Sequence, residues 1–347
     1  MELENQAQLQ KEGAATAKRE PNVPKKLAEM MNKQGYRFVG RHSATKTCFY
    51  TTSSLKEGGY TCYKHQFYGI RSWRCIQATP AIGCNLACSF CWRIIPEDEG
   101  FKWNEMNAMR EWDDPKDIVD GLIEEHRKLI NGYKGNGKTV MKRWEEANDP
   151  AHVALSLTGE PLFYPSMNGL IEEFERRGIS TFLVTNGTMV NALKNLISMP
   201  TQLYVSIQAP NKEVYGRTVR PKNIAATWDN FINFLKVFSG LRTRKVFRMT
   251  LVKGVNMEDT DGYAELIKVG KPDYVEVKGF VYVGGARNPK RNLEFSQMPT
   301  EDEIKNFAEG LADKSGYLYT TYHKHSNVVL LSRDEDAQRN RIIRFKK

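Results

Sequence analysis

From residue 75 onward the chain alternates short β-branched runs with stretches whose apolar residues recur every three or four positions. Six runs predict strands: Ile76–Thr79, Val153–Leu157, Thr181–Thr185, Leu203–Ile207, Lys245–Leu251 and Tyr274–Val277. Two later runs, Leu318–Tyr322 and Asn327–Leu331, predict further strands. Between them the spacing predicts helices over Pro115–Asn131, Met167–Arg177, Met189–Ile197, Trp228–Phe238, Asp259–Val269 and Thr300–Ala312. Alternation of this kind builds a parallel sheet covered by helices. Six such units suit a partial (βα)6 barrel, an α/β fold whose active residues sit at the C-terminal ends of the strands.

The rest of the chain lacks this pattern. Residues 1–24 are rich in Glu, Gln, Lys and Ala and read as a disordered lead-in. Residues 25–74 mix Cys, Tyr, Phe, Gly and Lys without a helical period, so something other than a regular core, such as metal ligation, is expected to hold them. The barrel is expected over 75–332, and the tail 333–347, which ends in the basic run "RNRIIRFKK", reads as a solvated end or an RNA contact.

At 347 residues and 40% hydrophobic content the chain can bury a full core without staples. No stretch reaches bilayer length and no apolar run near Met1 resembles a signal peptide, so a reduced, cytoplasmic protein without a membrane partner is expected. There, clustered cysteines are ligands or catalytic groups more often than bridges. The net charge of +10 permits a polyanionic partner without requiring one.

Three of the six cysteines, Cys84, Cys88 and Cys91, stand in "CNLACSFC" on a loop after the first strand. Three neighbouring thiolates can hold three irons of a four-iron, four-sulfur cluster and leave the fourth open. The alternative is a zinc site, but a closed one needs a fourth ligand, and none follows Cys91 before His126. The other three, Cys48, Cys62 and Cys75, form either a second set, again one ligand short, or buried apolar thiols. "GYKGNGKT" at 132–139 matches a phosphate-loop pattern, but it follows a helix instead of linking strand to helix, and is read as a flexible insertion.

With Phe90 before its last cysteine, this spacing resembles the signature of radical S-adenosylmethionine enzymes. In them the cysteines bind the cluster and the open iron takes the methionine moiety of the cofactor. The resemblance implies that Thr158, Gly159 and Glu160 of "LTGEP" hold the amino group, with Thr158 replacing a usual glycine. It implies that Ser206 and Gln208 of "LYVSIQAP" read the ribose hydroxyls, Gln208 standing where an acidic residue is common. "VYVGGA", around Tyr282–Gly284, is an adenine wall or a plain turn.

Over roughly 35–312, "TCYKHQFYGI", "RCIQATP", "CSFCWR" and "VKGFVYVGGARNPKR" resemble the tRNA 4-demethylwyosine synthases of the wyosine pathway. That resemblance implies a second four-iron cluster on Cys48, Cys62 and Cys75, pyruvate as co-substrate, and Lys64 as the lysine that forms a Schiff base with it. It also implies N1-methylguanosine next to the anticodon of tRNA(Phe) as the acceptor. The segment before Cys48 is too short for the flavodoxin-like domain of the eukaryotic form, so a monomer of the archaeal type served by a separate flavodoxin or ferredoxin is expected. Candidate RNA contacts are Arg217, Arg220, Lys222, Arg287 and Lys290, beside aromatic residues that could stack on a splayed base. Two rival readings remain: a radical enzyme acting on another RNA base or a protein glycine, and a non-catalytic iron–sulfur protein that binds RNA or carries electrons.

Overall fold

The computed structural model describes residues 19–107 and 111–345, so most of the lead-in and the last two residues of the tail lie outside the described residues. Among the described residues ten strands run in chain order: β1 (Arg37–Val39), β2 (Ser43–Thr45), β3 (Cys75–Thr79), β4 (His152–Leu155), β5 (Ser180–Thr185), β6 (Gln202–Ile207), β7 (Lys245–Leu251), β8 (Tyr274–Gly279), β9 (Leu318–His323) and β10 (Val328–Ser332). They form one sheet in the order β1-β2-β3-β4-β5-β6-β7-β8-β10-β9. β3 to β8 are parallel neighbours. β2 and β10 join antiparallel at either side. The six parallel strands are those the β-branched runs predict, and they make the partial barrel.

Helices cover the outer face because each presents an apolar stripe to it. Pro115–Asn131 buries Ile118, Val119 and Leu122, and its first turn is closed by the Asp114 carboxylate accepting from Lys116 N at 2.8 Å. Glu301–Ser315 buries Ile304, Phe307 and Leu311 behind a reciprocal Thr300/Glu303 capping box. The helix predicted over 189–197 shortens to Val190–Lys194.

The segment 25–74 is more regular than its composition suggests. It holds helices Lys25–Lys33, Phe49–Ser54 and Tyr63–Tyr68 and the β1–β2 hairpin that extends the sheet. Two of these helices have six residues, too few for a 3.6-residue period to be legible. The loop 132–139 is also tied down: Val140 N donates to Leu55 O at 2.9 Å and Glu57 N to Lys138 O at 2.9 Å.

The basic tail is not a loose end. Ile343 N donates to Tyr68 O at 3.0 Å, the Phe345 ring lies 4.4 Å from that of His152, and Arg244 donates to Arg341 O at 2.7 Å. Tail and helix Tyr63–Tyr68 together fill the barrel at the N-terminal ends of its strands, where Phe67 and Tyr68 are fully buried against Phe182, Tyr204 and Tyr274. No helix among the described residues is long and apolar enough to cross a membrane.

Two buried histidines, His152 at the start of β4 and His126 on the helix Pro115–Asn131, make the fold acid-sensitive. His152 is fully buried, its Nε2 accepting from Arg71 N at 3.1 Å and its Nδ1 lying 2.7 Å from Ser180 Oγ. Burial, reinforced by Arg71 and Arg74, lowers its pKa to about 3. Burial lowers His126 to about 4. Both stay neutral in the folded chain while the unfolded chain takes up protons below about 6.5. Stability from them is therefore complete above pH 6.5 and drains away as pH falls, by about 2 kcal/mol per histidine at pH 5. Urea midpoints measured from pH 7 to 5 should fall accordingly, and His126→Gln should flatten the slope.

Candidate active site

A cavity of ≈ 1020 Å³ lies inside the barrel, and all six cysteines line it. Side chains reach it from alternate strand positions, as the two-residue period requires: Cys75 and Gln77 from β3, Ser206 and the following Gln208 from β6, Arg248 and Thr250 from β7. None of the cysteines is in a disulfide, and each is half-buried.

The loop carrying Cys84, Cys88 and Cys91 is strapped to the segment 218–222 by main-chain bonds. Ala87 N donates to Val219 O at 3.0 Å, Ser89 N to Thr218 O at 2.9 Å, and Lys222 N to Asn85 O at 3.0 Å. Arg220, in the left-handed region at φ +47°, adds Nε to Ala87 O at 2.8 Å. Asn186 Nδ2 bonds Asn85 Oδ1 at 2.8 Å and lies 3.7 Å from Cys84 Sγ.

From the other side, the turn after β4 presses on the chain just before Cys84. Glu160 N donates to Gly83 O at 2.6 Å. Gly159 sits at φ +73°, and a Cβ there would stand 2.2 Å from Ala81 O and 2.6 Å from Gly83 O. Thr158 and Gly159 line the cavity. Glu160 is fully buried, and its carboxylate accepts from Leu162 N at 3.0 Å, Thr185 Oγ1 at 2.7 Å and Asn186 N at 2.6 Å, tying the end of β4 to the end of β5. Burial raises its pKa to about 7 against those three donors.

The second set enters from below. Cys48 and Cys62 each stand one residue before a short helix, and Cys75 opens β3. Cys62 Sγ accepts from Ser72 Oγ at 3.5 Å. Lys64 rises from helix Tyr63–Tyr68, is 7% exposed, and holds Nζ 4.7 Å from the Tyr204 ring centroid and 5.1 Å from that of Phe182. Burial lowers its pKa, with the nearby Glu276 carboxylate opposing. This half of the site lies deep in the barrel, where the strand-end rule gives no hint.

The donor set fits iron–sulfur ligation. Burial pushes Cys75 and Cys84 up to about 12, so these are stored as thiols whose deprotonation a metal must drive. Among the described residues no three His, Cys, Asp or Glu side chains group as the ligands of one ion would. Thiols that ligate separate irons need no such convergence. Two cavity-lining residues also hold buried polar atoms without a partner among the described residues: Gln208 Oε1, and Nε and Nη2 of Arg93, which is 7% exposed. A polar cofactor would satisfy them. Phe90 is buried beside Val252 and Phe280 at the same wall, and the turn at Gly284, φ +55°, docks on the loop through Gly285 N donating to Trp92 O at 2.9 Å.

Each of the proposed RNA cations has a partner within the fold. Arg220 serves the strap. Lys222 pairs with Glu97 at 2.8 Å, Lys290 Nζ donates to Asp98 O at 2.7 Å, Arg287 lies over Tyr282, and Arg217 donates weakly to Val255 O at 3.3 Å. Sequence reasoning missed Arg93, Arg248 and Lys278, all cavity-lining. Arg93 directly follows Trp92 in the cysteine motif, and the period-two pattern of β7 and β8 marks the other two as inward-facing.

A cysteine loop after the first parallel strand, with a glycine turn packed against it, is the arrangement of the Radical SAM superfamily, whose profile matches residues 79–267. A second profile, wyosine base formation, matches 269–333. The chain is 45% identical over 330 residues to the S-adenosyl-L-methionine-dependent tRNA 4-demethylwyosine synthase of Pyrococcus horikoshii, covering 94% of each. It superposes on a solved structure of TYW1 with a lysine-pyruvate adduct bound, with a TM-score of 0.80, 30% identity, and 92% of this chain and 99% of that one covered. The crystal structure of archaeal TYW1 gives 0.74 at 28% identity, covering 92% and 100%. The chain belongs to the S-adenosyl-L-methionine-dependent tRNA 4-demethylwyosine synthases.

Gly159→Ala should show how tightly the loop is held. Its Cβ cannot fit without moving Ala81–Gly83, and the left-handed backbone adds about 1 kcal/mol. The variant should stay folded by circular dichroism, yet release at least tenfold less 5′-deoxyadenosine from S-adenosylmethionine. Undiminished release would mean the contact does not position the loop.

Proposed function

We propose that this enzyme joins pyruvate to N1-methylguanosine beside the anticodon of tRNA(Phe), capturing pyruvate on Lys64. The observation that carries this reading is that Lys64 and both sets of three cysteines line one cavity. Cys84, Cys88 and Cys91 hold one four-iron cluster and Cys48, Cys62 and Cys75 a second. When bound, the first cluster and S-adenosylmethionine supply a 5′-deoxyadenosyl radical able to take hydrogen from the N-methyl group.

The chain's own residues bind, orient and store protons. Thr158 and Gly159 offer polar and main-chain groups to the methionine end of the cofactor, Ser206 and Gln208 to its ribose, and Phe90 walls that side. Glu160 acts at one remove by fixing the turn. Lys64, with its proton affinity lowered by burial, attacks the ketone carbon of pyruvate as the neutral amine. Water leaves and a Schiff base forms; a lysine-pyruvate adduct is bound in one TYW1 structure. Arg217, Lys222, Arg287 and Lys290, all exposed, meet tRNA phosphates. The enzyme works as a cytoplasmic monomer with a separate flavodoxin or ferredoxin as reductant.

Two measurements test this. Anaerobically reconstituted protein should hold about eight irons. Replacing Cys84, Cys88 and Cys91 by Ala should halve that content and abolish S-adenosylmethionine cleavage, whereas replacing Cys48, Cys62 and Cys75 should remove the other half. Separately, pyruvate plus borohydride should add mass to the peptide containing Lys64, and Lys64→Ala should lose both adduct and tricyclic product while keeping its iron. Lys64→Arg should fail too, since a guanidinium supplies no neutral amine. Full activity in Lys64→Ala would sink the role given to that residue.

A further inference from the structure

Above Lys64 the cavity wall carries two more cations on adjacent strands, Arg248 in the middle of β7 and Lys278 near the end of β8. Arg248 is paired in register with Glu276, and Thr250 with Lys278. The Arg248 guanidinium lies 5.9 Å from the ring of Tyr63, the residue before Lys64, and acts on Lys64 through space. Glu276, the carboxylate beside them, is fully buried, and its Oε1 is taken by the Tyr68 hydroxyl at 2.9 Å. Among the described residues none of the three cations forms an ion pair with it, and its influence on Arg248 is Coulombic. Lys278 spends one donor on Ser326 O. The five donors of Arg248 meet no hydrogen-bond acceptor among the described residues.

A permanently charged, planar fork of donors inside a barrel is costly unless an acceptor answers it. The acceptor that matches it is a carboxylate, bound through two parallel N–H···O contacts. A ketone captured by Lys64 brings one attached directly to the reacting carbon if it is a 2-oxo acid. From these contacts we infer that Arg248, assisted by Lys278, binds the carboxylate of the 2-oxo acid and so selects that substrate class over neutral ketones. This rests on the proposed capture of pyruvate in the same cavity. Burial lowers Lys278 to about 7, so it can arrive neutral and take its charge when the anion does. The carboxylate of S-adenosylmethionine has the same chemistry, and the test separates the two.

The experiment reads binding instead of turnover. In the reconstituted enzyme, the pyruvate concentration that half-saturates borohydride trapping on Lys64 should rise roughly tenfold or more in Arg248→Gln, the worth of one charge-assisted bond. It should rise less in Arg248→Lys, which keeps the charge but loses the fork, and also in Lys278→Met. The unaltered chain should be trapped far more readily by pyruvate than by its neutral amide, and Arg248→Gln should lose that preference. Retention of labelled pyruvate by Lys64→Ala, with and without Arg248→Gln, reads the same contact with no Schiff base. Retention that disappears with Arg248 supports the inference even if Lys64 is not the nucleophile. Equal retention and an unchanged preference would overturn it and leave the Lys64 reading standing. A variant that binds pyruvate normally but S-adenosylmethionine at least tenfold more weakly would overturn it too, in favour of the cofactor's carboxylate.

Discussion

Everything in the cavity rests on a floor. A barrel of parallel strands is open at their N-terminal ends, and such an opening must be filled by apolar side chains or it fills with water. Here a six-residue helix, Tyr63–Tyr68, does the filling. Phe67 and Tyr68 are fully buried in it, and the Tyr68 hydroxyl reaches Glu276 on β8. The same helix carries Lys64 on the side that faces upward, so the residue proposed to capture pyruvate is positioned by the packing that seals the barrel. Phe67 fixes the helix, the helix fixes the lysine, and the ring faces of Phe182 and Tyr204 receive its ammonium.

The roof obeys a different logic. A loop with three thiols cannot be held by apolar packing alone, because its main chain needs hydrogen-bond partners. The segment 218–222 supplies them on one side, and the turn at Gly159 supplies close contact on the other. Glu160 belongs to this scaffold more than to the cavity wall. The floor is thus apolar and the roof is main-chain bonded, while between them a space of ≈ 1020 Å³ stands at the upper end of what small-molecule sites occupy.

Much of this was legible in the sequence. The six parallel strands followed from β-branched runs, and the cysteine spacing with its flanking motifs led to the family. What stayed hidden came from interactions that leave no periodic trace. Helices Phe49–Ser54 and Tyr63–Tyr68 are shorter than two turns, so their identity comes from tertiary packing and not from pattern. The tail looked like a solvated basic run because its few apolar residues, Ile342, Ile343 and Phe345, are outnumbered by charge, yet Ile343 and Phe345 pack against the floor. Arg220 looked like a phosphate contact, and only its left-handed backbone and bond to Ala87 reveal a strap. Arg248 lies in no motif, and Lys278, second in "VKGFVYVGGARNPKR", carries no role in it. They are defined by facing inward at the level of Lys64.

The position of the tail has a consequence for how the molecule is made. Residues 341–345 come after every barrel strand in the chain, yet they lie against Tyr68 and His152 beneath the first ones. A chain leaves the ribosome from its N-terminus. Residues 341–345 therefore reach the base only after the strands have been made, and they complete a floor that the helix Tyr63–Tyr68 has already begun to fill.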